Sequence, residues 1–337
     1  MIVSIGDTQI DNARPWSSAI SKEVVNFIIN SPHNKPENTA VFLGDLVEKS
    51  KVSGEVFDYL MQIFVGLKYK KAYILVGNHD GQLWDGKVDL VYDFLKNPEV
   101  ASKITTPIEV VYGAKAIEID GIKTLFLSHI FNDGKQSLKD YEKLPAELSE
   151  PSYDVIFGHF QKTSLGLPGE SIDVSYLKTK YSCYGHIHNP SDDYQGSLVP
   201  NSVSEGQHKH QIRLYLKNRG VVVQTIEELE VELADYYSVT FPNSLPEVTA
   251  KVPIWTIDNC KDIQTAKAFY GDIFIRKTIY NSELNIEELQ RLTEKLKKKG
   301  KASTLEMFEE FVSQSKLTVE LTNKARGYLV QGLEGRL

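Results

Sequence analysis

The first half of the chain alternates short apolar runs with segments of helical periodicity, and this alternation limits its fold more than any other feature. The apolar runs Ile2–Ile5, Thr39–Leu43 and Ala72–Val76 have the length and composition of buried strands. Between them, Ser17–Ile29 and Ser53–Leu67 repeat apolar residues at helical spacing. Strand–helix–strand order is typical of a largely parallel sheet with helices on its faces.

The later part of the chain is richer in strands. A helix is predicted over Val88–Leu95, and after it β-branched and aromatic residues predict strands at Ile108–Ile119, Lys123–His129, Asp154–Gly158, Tyr181–Gly185, Gln211–Leu216 and Val221–Ile226. These strands suggest a second sheet packed on the first. The predicted fold class is therefore α/β, a two-sheet β-sandwich flanked by helices.

The pattern changes beyond about Glu230, where a Pro-punctuated segment leads to an extended run at Asp272–Tyr280. Helical periodicity then returns at Asn285–Lys298, Thr304–Ser313 and Leu317–Val330. We therefore expect a main domain over 1–230, a small α/β capping domain over 231–282 and C-terminal helices over 283–337.

Composition excludes several classes of protein. The chain has 337 residues, 41% of them hydrophobic, and no apolar run approaches the length of a membrane span. Its start lacks the features of a secretory signal, and two cysteines are too few for a disulfide framework. We expect a cytoplasmic protein without a membrane partner. The net charge of -7 argues against a uniformly basic surface, but it does not exclude a DNA substrate.

Chemically versatile side chains follow the predicted strands. Asp7 follows the first strand, Asp45 the second, and Asn78 with His79 the third. Because ligands bind at the carboxyl ends of strands in open α/β sheets, we expect these four residues to gather at one edge. Asp45 is the candidate for a bridging carboxylate, since its loop lies between the other two in sequence.

Three further histidines follow later strands: His159, His186 and His188. The i, i+2 spacing of His186 and His188 would turn both rings to one face if the segment stays extended. Taken singly, each aspartate could be a turn or cap residue, and each histidine could be structural. Their joint placement after strands favours a site for two divalent metal ions, which prefer oxygen and imidazole ligands.

In this order the motifs resemble those of the calcineurin-like metallophosphoesterase family. The matching segments are Asp7-Thr8-Gln9, Gly44-Asp45, Gly77-Asn78-His79-Asp80, Gly158-His159 and Gly185-His186-Ile187-His188. Within that superfamily the chain is most similar to SbcD/MRE-type DNA break-repair exonucleases, including their phage relatives. Gly196-Ser197 through Pro200, followed by Glu205, resembles the segment that those nucleases carry after their last metal motif.

The resemblance implies a role for each matching residue. Asp7, Asp45 and His188 would hold the first ion, with Asp45 bridging to the second. The second ion would be completed by Asn78, His159 and His186. His79 would act on the scissile phosphate as an acid or a transition-state stabiliser. The implied metal is manganese, with magnesium as the alternative.

One position departs from the family pattern, because Gln9 stands where the family normally has a histidine. Its side-chain oxygen could bind the first ion weakly or through water, or the residue could be a bystander. If it is a weak ligand, activity would depend more strongly on metal concentration than in relatives.

Substrate and partner predictions rest on weaker signals. Trp84 and Lys87 follow the His79 turn and offer an aromatic ring and a cation to nucleic acid, although Trp84 could equally be a core residue. By resemblance, the C-terminal helices would bind the coiled coil of an SMC-like ATPase, and the main domain would form a homodimer. The chain has no Gly-rich phosphate loop of its own, so ATP use would reside in that partner.

The expected function is a metal-dependent DNA exo/endonuclease in a recombination and repair complex. A phosphatase or cyclic-nucleotide phosphodiesterase with the same metals is the alternative enzyme. A scaffold that has lost its metals is the non-catalytic alternative, and only Gln9 supports it.

Overall fold

The computed structural model describes residues 1–167, 170–202, 205 and 209–279. The strands in these residues are β1 (Ile2–Ile5), β2 (Thr39–Phe42), β3 (Lys71–Leu75), β4 (Gly81–Trp84), β5 (Lys87–Leu90), β6 (Ile108–Val111), β7 (Ala114–Ile119), β8 (Ile122–Leu127), β9 (Ser152–His159), β10 (Gln161–Lys162), β11 (Ser171–Ile172), β12 (Lys178–Gly185), β13 (Gln211–Asn218), β14 (Val221–Glu228), β15 (Ala234–Thr240), β16 (Val252–Asp258) and β17 (Phe274–Ile279). The α-helices are α1 (Ser17–Asn30), α2 (Gly54–Gly66), α3 (Pro98–Ala101), α4 (Ala146–Ser149) and α5 (Ile263–Tyr270). Single 3₁₀ segments lie at Val91–Lys96, Leu138–Lys143 and Thr163–Leu165.

The first sheet has six strands in the order β14-β13-β1-β2-β3-β6. β1, β2, β3 and β6 run parallel, whereas β13 is antiparallel to β1. Helices α1 and α2 cover one face with apolar side chains. On α2, Val56, Leu60 and Phe64 recur every four residues and are all buried, and the Ser53 hydroxyl caps the helix by accepting from the Val56 N–H. The βαβ prediction for this half is confirmed.

The second sheet has four strands in the order β12-β9-β8-β7, with β12, β9 and β8 parallel. A buried layer joins it to the first sheet, with Val41 and Tyr73 from one side meeting Phe126 and Phe157 from the other. Because these strands are buried on both faces, they carry nearly continuous apolar runs. The two-sheet sandwich with flanking helices is therefore confirmed. The assignment of Gln211–Leu216 and Val221–Ile226 to the second sheet is wrong, because β13 pairs with β1 and extends the first sheet together with β14.

Two predicted elements differ in the structure. The helix expected over Val88–Leu95 is wrong: β4 and β5 form an antiparallel hairpin, and only Val91–Lys96 coils, as a 3₁₀ segment. The single strand expected over Ile108–Ile119 is wrong as well. It is divided at Gly113, whose φ of +90° ends β6 and lets β7 join the other sheet.

A third sheet follows the sandwich, with β15, β16 and β17 in parallel order and α5 crossing between the last two. It has its own small core, around Trp255, Ile257 and Ala266. Leu233, Ala234 and Val252 also join the main core, so this sheet is packed on the sandwich. The predicted helices over 283–337 lie outside the described residues. Within the described part of the chain, no helix is long and apolar enough to cross a membrane.

Candidate metal centre

The loops after β1, β2 and β3 meet at the carboxyl edge of the first sheet, because these three parallel strands are neighbours. Three non-glycine residues in the loops around this edge adopt left-handed backbone conformations: Gln9 (φ +50°), Asp45 (φ +47°) and His186 (φ +77°). Such conformations are uncommon for residues with a side chain and tend to occur at functional sites. The local backbone thus turns these side chains towards a common centre.

One group of ligand atoms surrounds Asn78. Its Oδ1 lies 3.0 Å from Nε2 of His159 and 2.8 Å from Nδ1 of His186. Nε2 of His159 is also 3.2 Å from Oδ2 of Asp45. One ligand atom each from Asp45, His159 and His186 lies within 4.8 Å of the others. These are the residues that the resemblance assigns to the second ion.

A second group lies on the other side of Asp45. Nε2 of His188 is 3.7 Å from Oδ2 of Asp7 and 3.5 Å from Nε2 of Gln9. The Gln9 amide nitrogen is in turn 3.4 Å from Oδ2 of Asp45. Asp45 therefore lies between the two groups, in the position expected of a bridging carboxylate.

Oxygen acceptors fix the orientation of the imidazoles. Nδ1 of His159 donates to the Leu43 carbonyl at 2.8 Å, which leaves Nε2 for a ligand. Nδ1 of His188 is 3.1 Å from the Glu205 carboxylate, and its Nε2 likewise faces the centre. A carboxylate or carbonyl behind a ligating histidine fixes its tautomer and raises its basicity. The sequence did not predict these contacts. It identified Glu205 only as part of the segment that resembles SbcD/MRE-type nucleases.

Asp80 ties two of the loops together. Its buried carboxylate accepts from the backbone N–H groups of Gly77 (2.8 Å), Asp45 (2.8 Å) and Leu46 (3.0 Å). The loops approach so closely that a Cβ on Gly77 would lie 2.1 Å from Oδ1 of Asp45. Asp80 was part of the recognised motif, but a role in holding the loops could not be derived from sequence.

The charges in the cluster are strongly coupled. Burial opposes protonation of His159, but the Asp45 and Asp7 carboxylates raise its pKa to about 10. Despite burial, the same histidine holds the pKa of Asp45 well below its usual range, while burial raises the pKa of Asp7 to about 6. Burial and the positive charge of His159 lower the pKa of His186 to about 4. Since imidazole binds metal only in its neutral form, metal binding here would release a proton from His159.

Two buried oxygens support the fit of this site to divalent cations. Oδ1 of Asp7 and Oε1 of Gln9 have no hydrogen-bond partner within the described residues. An unpaired buried acceptor is costly, and a cation would satisfy it. The carboxylate, amide and imidazole donors also match the ligands that manganese, magnesium and zinc accept. The residues present therefore fit two divalent ions. Gln9 would contribute an oxygen to the first only with its amide group turned over, because its Nε2 is the atom that faces Asp45 and His188.

The reason given for the pairing of His186 and His188 is wrong, although both rings reach the centre. β12 ends at Gly185 and His186 is left-handed, so the segment is not extended. The His186 N–H instead donates to Oδ2 of Asp7 at 2.9 Å. His129, to which the sequence assigned no role, is close enough to the cluster for its pKa to fall to about 3, through burial and the charge of His159.

His79 lies at the rim of the centre. Its Nδ1 donates to the Glu48 carbonyl at 2.6 Å, and its Nε2 lies 3.9 Å from Oδ2 of Asp45. The side chain is 38% exposed, more than that of His159 or His188. An accessible imidazole with one nitrogen already engaged can present the other to a bound phosphate.

Trp84 and Lys87 face each other across the β4–β5 hairpin. Its turn residues Asp85 and Gly86 have φ of +48° and +70°, as a type I′ turn requires. Trp84 is 68% exposed, so the core alternative for this residue is wrong. Lys87 is also exposed, and only Asp80 separates His79 from β4. The structure holds neither residue against the ligand cluster, and their contact with substrate stays a prediction.

Comparison with solved structures finds several weak matches. One is described as a novel archaeal phosphodiesterase, with 16% identity, 67% of this chain and 99% of that chain covered, and a TM-score of 0.34. Phosphopantetheinyl hydrolase from Mycobacterium tuberculosis gives 12% identity, 66% and 87% coverage, and a TM-score of 0.33. A protein of unknown function from Aquifex aeolicus gives 16% identity, 52% and 93% coverage, and a TM-score of 0.28. Scores this low carry no argument about fold or function.

A family model gives the decisive match. The description "Calcineurin-like phosphoesterase" matches residues 1–190, which is more than half of the chain and includes every residue of the two ligand groups. The search of curated proteins found no match. The chain therefore belongs to the calcineurin-like metallophosphoesterase family, whose members are typically phosphoesterases that depend on two metal ions.

Proposed function

We propose that this protein is a metal-dependent DNA exo/endonuclease of the SbcD/MRE type, which hydrolyses phosphodiester bonds. One observation supports hydrolysis above all others: two groups of metal-ligand side chains lie on either side of Asp45, and His79 is exposed at their rim. Two divalent ions held by these residues would supply activation of water and stabilisation of the charge on the leaving oxygen. Manganese is the proposed metal and magnesium the alternative.

The chain's own residues position the reacting groups. Asp7, Asp45 and His188, with Gln9, would hold the first ion, and Asp45, Asn78, His159 and His186 the second. The Glu48 carbonyl engages Nδ1 of His79, so that Nε2 lies on the side of the ring towards Asp45. From there His79 would donate a proton to the leaving oxygen or a hydrogen bond to the phosphate. Because Asp45 also accepts from the His79 backbone N–H at 2.8 Å, the acid and the bridging carboxylate keep a fixed separation.

Support for DNA as the substrate comes from features around the centre. The motif order and the segment from Gly196 to Glu205 resemble those of SbcD/MRE-type nucleases. The β4–β5 hairpin places an exposed tryptophan and a lysine opposite each other on adjacent strands, directly after the His79 turn. A base can stack on an indole ring, and an ammonium group can pair with a backbone phosphate. The third sheet adds a surface that a minimal phosphatase would not need.

We also propose that the protein works with an SMC-like coiled-coil ATPase and as a homodimer. The resemblance supports both, and the absence of a phosphate-binding loop in the sequence is consistent with ATP hydrolysis in a partner. The segment expected to bind the ATPase, 283–337, lies outside the described residues.

The decisive experiment compares two kinds of substrate. Purified protein is incubated with manganese and end-labelled single-stranded or duplex DNA, and separately with bis-p-nitrophenyl phosphate. The proposal expects both to be cleaved, with loss of both activities in EDTA. A His79→Ala preparation controls for a contaminating nuclease. Cleavage of the small ester alone would contradict the DNA assignment and favour a phosphatase or cyclic-nucleotide phosphodiesterase.

A further inference from the structure

The two histidines that follow β12 lie in a segment that contains no helix or strand. We call this segment, residues 186–197, the histidine loop. It turns back on the strand before it, since the Gln195 N–H donates to the Tyr184 carbonyl at 3.0 Å. Its end also returns to its beginning, where the Ser197 N–H donates to the His188 carbonyl at 3.0 Å. The positions of its histidines therefore depend on contacts with neighbouring elements.

Arg213, on β13 of the first sheet, makes the most extensive of these contacts. Its side chain is 0% exposed, and all four hydrogen bonds that it makes within the described residues go to main-chain carbonyls. Three of the carbonyls belong to one turn of the histidine loop: Asp192, 2.8 Å from Nη1, Tyr194, 2.6 Å from Nη2, and Ser191, which also accepts from Nη2. The fourth is the Ser182 carbonyl on β12, 3.4 Å from Nη1. One guanidinium thus joins the first sheet to the loop and to the strand that precedes it.

The positive charge of Arg213 is costly where it lies. A buried cation is destabilising unless a carboxylate compensates it, and within the described residues the guanidinium forms no ion pair. The nearby Asp193 carboxylate is instead paired with Lys162 at 2.6 Å, and Nε of Arg213 is buried without a partner. An apolar side chain would fill this space at lower cost. The property that this position uses is therefore the rigid fork of N–H donors, which can hold several carbonyls at fixed separations.

The same contacts fix the loop relative to a ligand of the first ion. Arg213 lies opposite Ser4 in the antiparallel register of β13 and β1. The Ser4 carbonyl accepts from Nε2 of Gln195 in the loop, at 2.9 Å. Asp7 follows Ser4 on the same strand, and its Oδ2 lies 3.7 Å from Nε2 of His188. A loop released from Arg213 would therefore let His188 move away from Asp7.

We infer that Arg213 is a positioning residue for the first ion: its guanidinium holds the histidine loop by three carbonyls and so keeps His188 within reach of Asp7. It acts through the loop backbone, since its hydrogen bonds go to carbonyls and not to a ligand side chain. The inference rests on the metal-dependent part of the proposed function and does not depend on the substrate.

The test uses Arg213→Met and Arg213→Lys in the full chain, with manganese binding measured by isothermal titration calorimetry. We expect Arg213→Met to weaken the binding of one of the two manganese ions about tenfold, as is usual when a residue that orients a metal ligand is lost. Arg213→Lys keeps the charge but not the fork, so its affinity should lie between those of the wild type and Arg213→Met. This variant also serves if Arg213→Met does not fold. Because the loss is one of affinity, hydrolysis of bis-p-nitrophenyl phosphate should recover in both variants as the manganese concentration rises.

Asn34→Ala is the matched control, because it also removes a buried side chain that holds main-chain carbonyls. Asn34 is 6% exposed, and its Nδ2 donates to the carbonyls of Ile29 and Gly66, both at 2.9 Å. These carbonyls lie at the ends of α1 and α2, which precede β2 and β3 and so lie at the edge of the sheet opposite the centre. Urea unfolding in EDTA should show a loss of stability in this variant, whereas its manganese affinity should equal that of the wild type.

Three results would contradict the inference. Wild-type manganese affinity in both Arg213 variants would overturn it and leave metal-dependent hydrolysis intact. An equal loss of affinity in Asn34→Ala would overturn it as well, because the effect would then follow general stability. A wild-type protein that binds neither manganese nor magnesium would overturn both the inference and the proposed function.

Discussion

Three imidazoles at the candidate centre each have one ring nitrogen held by an oxygen from outside the ligand groups. Glu48 and Leu43 supply backbone carbonyls to His79 and His159, and Glu205 supplies a carboxylate to His188. The sequence placed these histidines after strands, but it could not show which nitrogen faces inwards. That choice depends on acceptors distant in sequence, and a single chain gives no signal for such pairings.

His79 is expected to act on the substrate without binding metal. His79→Ala should lower kcat for bis-p-nitrophenyl phosphate by about a hundredfold to ten-thousandfold, the usual effect of removing a general acid. Manganese binding, followed by isothermal titration calorimetry, should change little. His33→Ala is the control, because His33 pairs with Glu227 on β14, away from the centre. Loss of manganese binding in proportion to activity would show that His79 is a ligand.

Substitutions of Gln9 test whether this residue is a ligand of the first ion or a bystander. If its unpaired Oε1 binds metal, Gln9→His should tighten manganese binding by about tenfold, since imidazole is the stronger ligand and histidine tolerates a left-handed backbone. Gln9→Ala should weaken it. Titration calorimetry and the manganese concentration that gives half-maximal activity measure both changes. Equal affinity in all three proteins would identify Gln9 as a bystander.

At the scale of elements, the parallel neighbours β1, β2 and β3 determine where the ligands meet. Strand order and the edge of the sheet could be predicted, because buried strands and amphipathic helices have distinct apolar periods. The hairpin at 81–90 was missed because Val88, Val91 and Leu95 recur at helical spacing, whereas the signal that marks the hairpin is the Asp85-Gly86 turn before them. The left-handed conformation of His186 has no such signal.

Asp80 is predicted to stabilise the junction of two metal loops. Asp80→Ala would leave the N–H groups of Gly77, Asp45 and Leu46 without their acceptor, and it should lower the free energy of unfolding by about 3 kcal/mol. Urea denaturation in EDTA measures this value without a contribution from metal. Asp58→Ala, on the exposed face of α2, should change it far less. Similar decreases in the free energy of unfolding of the two variants would show that Asp80 does not stabilise this junction.

At the scale of the whole molecule, the third sheet joins the sandwich through a short segment that contains Glu232. One carboxylate oxygen accepts from the His210 N–H at 3.4 Å, and the other lies 3.7 Å from the His210 ring. Burial, reinforced by the charge of Asp235, raises the pKa of Glu232 to about 7 from its ordinary value of 4.5. The fold therefore favours the protonated form of this carboxyl.

This shift predicts a pH-dependent contribution to stability. Between pH 4.5 and about 7 the unfolded chain releases a proton that folded Glu232 keeps, so stability falls as the pH rises through this window. Glu232→Gln stays neutral and should be more stable than the wild type by about 1–2 kcal/mol at pH 8, after allowance for partial exposure, and about equal at pH 4.5. Urea unfolding at both pH values measures the difference. A constant difference between the two proteins would contradict the prediction.

The ligands of the candidate centre come from both halves of the sandwich. Asp7, Asp45 and Asn78 follow strands of the first sheet, whereas His159, His186 and His188 end or follow strands of the second. Bound cations would consequently link the two sheets at one end of the interface between them, in addition to their chemical role. Chelation would then loosen the architecture as well as stop hydrolysis, and resistance to heat or proteases would rise with the concentration of free divalent metal.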